Sequence, residues 1–98
     1  MGKVFVQIPE EVRDIAQAYL ESRKRDLGTL KDALTRKDFD FIARLSHKTK
    51  GTAGGYGFDE LGSIAKTLET GAKSENPADT RSAIDAMGRY LSDIEIAR

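Results

Sequence analysis

Apolar residues recur at helical spacing in four stretches of this chain, each opened by a start signal. Pro9 can begin a helix, and Glu10 and Glu11 would oppose the positive end of its dipole. Val12, Ala16, Tyr19, Leu27, Leu30 and Leu34 then follow one face, interrupted only by Arg23, with Gly28 as a candidate break. After the polar link Thr35–Arg36–Lys37, Asp38 is a good N-cap for a second helix with Ile42, Leu45, Thr49 and Ala53 inward. Asp59 is the expected cap of a third helix, with Leu61, Ile64, Ala65, Leu68 and Ala72 on one side. Gly71 and the polar run Lys73–Ser74–Glu75 are expected to end it. The last start signal is the strongest: Asn76 as cap, Pro77 at the first position and Asp79 in the first turn. Thr80, Ile84, Met87, Leu91 and Ile94 continue from there as a seam.

This pattern predicts an all-α fold, an antiparallel four-helix bundle with helices over about 10–34, 38–56, 59–73 and 77–96. Residues 1–8 carry Val4, Phe5, Val6 and Ile8, too short and partnerless a run to make a sheet. An extended N-terminal arm, or a first helical turn docked on the body, is expected there.

Composition narrows the function classes. At 98 residues and 10.8 kDa the chain is expected to form a single domain over 1–98. Sixteen basic residues cancel sixteen acidic ones, which disfavours a general nucleic-acid-binding role. Cysteine is absent, excluding disulfides, thiol catalysis and Cys-based metal sites, and a single histidine excludes sites built from several imidazoles. No apolar run approaches the ~20 residues of a membrane span, and the start lacks a signal-peptide core. The expectation is a soluble cytoplasmic monomer without nucleic-acid or membrane partners, and Met1 favours a free-standing protein.

The unusual segment is His47–Phe58, where Gly51, Gly54, Gly55 and Gly57 crowd together. Each glycine costs about 0.8–1 kcal/mol against alanine inside a helix, so one reading ends the helix at Lys50 and continues as a flexible loop. A helical wheel favours another. With His47 at zero, Ile42, Leu45, Thr49, Ala53 and Tyr56 fall within roughly 140–240°, whereas Gly51, Gly54 and Phe58 fall within about 40° of His47. Apolar periodicity thus runs through the glycines to Tyr56. Helical side chains lean toward the N-terminus, so Gly51, one turn on, leaves the surface beside His47 bare, and Gly54 bares the next patch.

An exposed imidazole is a nucleophile at neutral pH, and Lys50 at i+3 can reach the same space with a positive charge. Phosphoryl transfer asks chiefly for positioning and charge compensation. Residues 36–50 hold Arg36, Lys37, Arg44, Lys48 and Lys50 against Asp38 and Asp40, a basic patch suited to a phosphate or an acidic partner. Other readings stand beside these: a plain surface histidine, a solvated lysine, and glycines that permit close helix packing. Gly55 and Gly57 suit a helix end and turn. Tyr56 reads as core, and Phe58 either as a packing residue at the turn or as a partner contact. The glycines lack the order and preceding strand of a nucleotide loop, and one histidine with scattered carboxylates gives little support to a metal site.

The pattern His47-x-x-Lys50-Gly51-Thr52-x-x-Gly55-x-Gly57-Phe58 resembles the signature of histidine-containing phosphotransfer (HPt) domains. The likeness extends to the long preceding helix, the Lys37–Asp38 link and the following helix ending Thr67-Leu68-Glu69, covering essentially residues 10–96. It implies a four-helix bundle whose histidine receives a phosphoryl group from one receiver-domain aspartate and passes it to another in a multistep phosphorelay. It places the phosphorylated histidine at His47, the neighbouring basic residue at Lys50 and the close-approach glycine at Gly51. Arg44, Lys48, Gly51, Gly54 and Phe58 are the expected partner-facing residues. Expected partners are response-regulator receiver domains or a hybrid histidine kinase. The chain itself is expected to be a carrier, with no cofactor of its own, and Mg2+ belongs to the receiver. Where the family often has Gly-Asp, this chain has Lys37-Asp38, which affects only the loop geometry. The other readings kept open are a phosphorylation-independent adaptor and a module that regulates a histidine kinase without carrying phosphate.

Overall fold

The computed structural model describes residues 3–97. Four helices make the body: α1 (Arg13–Thr35), α2 (Phe39–Ala53), α3 (Asp59–Lys73) and α4 (Pro77–Asp93). Each packs on its neighbours in a ring, α2 on α3, α3 on α4, and α1 against both α4 and α2. The apolar stripes read from the sequence meet inside. Ala16, Leu30, Ile42, Leu61, Leu68, Ile84, Met87 and Leu91 are buried, as the helical period requires. Pro9 precedes a single 3-10 turn over Glu10–Val12, so the α-helix proper begins later than Pro9 suggests.

The three links between helices share one construction. Each helical run ends in paired 6→1 and 5→2 hydrogen bonds around a left-handed residue, and the next residue is already the N-cap of the following helix. Asp38 N–H donates to the Ala33 carbonyl (2.8 Å) and Lys37 N–H to that of Leu34 (3.0 Å). Phe58 N–H and Gly57 N–H donate likewise to Ala53 and Gly54, and Asn76 N–H and Glu75 N–H to Gly71 and Ala72. The left-handed residues are Lys37 (φ 58°), Gly57 (φ 88°) and Glu75 (φ 53°). So Lys37 adopts the backbone conformation that glycine adopts most readily. Asp38 and Asn76 cap as expected, accepting from the backbone N–H groups of Phe41 and Asp79.

The structure corrects several expectations. The end of α2 tightens into a 3-10 turn over Gly54–Tyr56, so the helical run does reach Tyr56, but with its last turn overwound. Asp59 is the first residue of α3 and makes no side-chain cap; Phe58 holds the cap position. Gly71 does not end α3. It lies inside the helix, where an added Cβ would stand 3.2 Å from the Thr80 backbone nitrogen, and so lets the start of α4 approach.

The N-terminal arm has a partner after all. Residues Val4–Gln7 form strand β1, which pairs in parallel with β2 (Ile94–Ala97), in register Val4 with Ile94 and Val6 with Ile96. Helix α4 therefore stops at Asp93, short of 96. Both ends carry β-branched residues at alternate positions, and these share the inner side of the ribbon. Ile94, last of the helical seam, is buried where helix becomes strand. Ile8 follows β1 into the core, and its Cδ1 lies 3.2 Å from where a Gly57 Cβ would be. The arm thus closes over the turn that ends the glycine-rich helix.

Candidate functional site

His47 lies midway along α2 with its side chain 67% exposed. Its immediate surroundings follow from three directions on the helix surface. Lys50 leans toward α3. Thr52 faces α1, where its hydroxyl lies 2.7 Å from that of Tyr19, and Tyr19 stacks in turn on Tyr56 and lies near Phe58. Gly51 lies between, and an added Cβ there or at Gly55 would meet nothing within 4 Å. Neither glycine is needed for helix packing, so their effect is to leave backbone bare. At Gly54 a Cβ would meet only the Asp59 carboxylate, at 3.6 Å.

The centre of the site is a residue contributed by α3. Glu69 is buried, and its carboxylate holds three groups at once: His47 Nδ1 at 2.9 Å and Lys73 Nζ at 3.1 Å on Oε2, and Lys50 Nζ at 2.9 Å on Oε1. The hydrogen bond from Lys50 holds this carboxyl far below the usual 4.5, at about 2, and those from Lys73 and His47 add to the effect against the desolvation that opposes it. Glu69 is therefore an anion throughout the neutral range. An ionised carboxylate only accepts, so in the neutral ring Nδ1 must carry the proton. That leaves Nε2 with its lone pair as the unprotonated nitrogen.

Beside this cluster, α2 and α3 border a groove with Phe39, Ala43 and Ala72 among its apolar residues and Arg44, Lys73 and Glu75 among its charged ones. Arg44 is exposed and pairs with Asp40 at 3.0 Å. Lys48 is exposed and gives its carbonyl to the Thr52 hydroxyl (3.1 Å).

Of the residues singled out from the sequence, His47, Arg44, Lys48, Gly51 and Gly54 are exposed and Lys50 is half-buried beside Glu69. Phe58 is not with them. It is fully buried, because the left-handed Gly57 turns the chain off the helical path on which its wheel position was reckoned. As a core residue it cannot face a partner. Glu69 and Lys73 have no site role in the sequence pattern. The i,i+4 spacing of the two is visible in the sequence, but nothing there sets Glu69 against a histidine 22 residues away, or Lys73 beside it.

A bundle presenting one carboxylate-held imidazole on a glycine-bared helix has the layout of a phosphotransfer module. The family model described as "Hpt domain" matches residues 14–97, and the chain belongs to that family, whose members carry phosphoryl groups on histidine in phosphorelays. No curated protein and no solved structure matches the chain. No helix among the described residues is long and apolar enough to cross a membrane, and no three His, Cys, Asp or Glu among them cluster as a metal site.

Proposed function

We propose that His47 is the phosphoryl carrier of this domain, accepting from the aspartyl phosphate of a receiver domain and donating to the aspartate of another. The observation that supports this most is the bond between His47 Nδ1 and Glu69, since it leaves Nε2 as the unprotonated nitrogen of a largely exposed side chain. In the forward step the Nε2 lone pair attacks phosphorus, the N–P bond forms, and the P–O bond to the aspartate breaks to leave a carboxylate. The ring keeps its Nδ1 proton and becomes cationic, and the Glu69 carboxylate is already in place to stabilise that charge. Lys50, half-exposed beside the ring, offsets charge on the phosphoryl oxygens. The return step reverses each change. Gly51, without a side chain one turn from His47, lets the partner's reacting carboxylate come close.

The tautomer is the direct test. Long-range 1H–15N spectra of wild type in mildly alkaline buffer should show the proton on Nδ1, and phosphorylation should move the Nε2 resonance. A proton on Nε2 in the resting protein would contradict the reading.

A further inference from the structure

Glu69 carries a single negative charge, yet two lysines share its carboxylate. Lys73 Nζ and His47 Nδ1 bind the same oxygen, Oε2, so the two nitrogens can lie no farther apart than those two bonds laid end to end. One anion against two ammonium groups leaves a positive charge in excess beside the imidazole. The other charges bordering the groove do not remove it. Arg44 is matched by Asp40, and Glu75, which also borders the groove, is exposed to screening solvent and forms no ion pair with either lysine. Lys73 is also the freer of the two lysines, with its side chain 67% exposed against 36% for Lys50.

Resting on the assignment of His47 as carrier, we infer that Lys73 is a second phosphoryl-binding residue, held at the site by Glu69 until the group arrives on Nε2. The resting cluster then carries the positive charge that a phosphoryl dianion needs. On phosphorylation Lys73 swings from Oε2 to a phosphoryl oxygen, while His47 Nδ1–H keeps its hold on the carboxylate. Beyond the N–P bond formed and the donor's bond to phosphorus broken, this movement exchanges only hydrogen bonds, and no proton moves.

The second ionisation of the phosphoryl group reads this contact directly, because a nearby cation favours the dianion and lowers its pKa. Wild type, Lys73→Gln and Lys73→Arg would be phosphorylated with phosphoramidate, which needs no receiver domain, and titrated by 31P NMR. Circular dichroism would confirm that each is folded. Lys73→Gln should raise the titration midpoint by about one unit, and Lys73→Arg should leave it near wild type. The same comparison in a Glu69→Gln background separates a direct contact from an effect through Glu69: a direct contact keeps the shift. An unchanged midpoint in Lys73→Gln, or a shift that vanishes with Glu69→Gln, would overturn the inference while leaving His47 as carrier. Wild type that takes no phosphoryl group on His47 would overturn the carrier assignment and this inference with it.

Discussion

His47 Nδ1 stands 2.9 Å from Glu69 Oε2, so the exposed imidazole and the buried carboxylate behind it form one unit. Replacing Glu69 by Gln keeps an acceptor in place but removes the charge that balances the phosphorylated ring. Charge-assisted hydrogen bonds are roughly twice as strong as neutral ones. Phosphoryl transfer in Glu69→Gln should slow by about tenfold, equivalent to about 1.4 kcal/mol, and single-turnover transfer from a phosphorylated receiver measures it.

The same carboxylate fixes an acid limit to stability. Its pKa falls from the usual 4.5 to about 2 on folding, so its contribution is fully present above the unfolded value and fades as pH drops through the folded one. Urea denaturation of wild type should therefore show stability falling as pH is lowered from about 4.5 toward about 2. Glu69→Gln should flatten that part of the profile.

Gly51 sets stability against function. It lies within α2, its missing Cβ would touch nothing within 4 Å, and alanine is the better helix former. Gly51→Ala should raise stability by about 0.8–1 kcal/mol. The added methyl lies on the face a receiver would have to approach, so affinity for the receiver, measured by titration calorimetry, should fall.

The helix links make a paired prediction. Lys37 at φ 58° and Glu75 at φ 53° hold left-handed conformations that cost an L-residue energy, so Lys37→Gly and Glu75→Gly should each stabilise by about 0.5–1 kcal/mol. Gly57→Ala should do the opposite, because its φ is 88° and its Cβ would press on Ile8 Cδ1 at 3.2 Å. Thermal and urea unfolding of the three variants tests both directions.

What could be read from the chain divides along physical lines. The helices and the capping roles of Asp38 and Asn76 are local properties of period and backbone chemistry, and the sequence displays them. His47, Lys50 and Gly51 are also local, three residues on adjoining turns of one helix. Glu69 and Lys73 are not: only the packing of α3 on α2 brings them to the ring. The pairing of β1 with β2 was hidden for the same reason, since Val4 and Ile94 stand at opposite ends of the chain and neither segment signals the other. Phe58 shows a different failure, in which a wheel was carried one residue past a left-handed turn.

The carrier assignment is tested most directly by mixing the protein with a 32P-labelled, phosphorylated receiver domain and then with a second, unlabelled receiver. Wild type should take up label that is lost in acid and retained in base, and should pass it on. His47→Gln should bind the receiver and stay unlabelled. Acid-labile label on His47→Gln, or wild type that binds several receivers and takes label from none, would contradict the account.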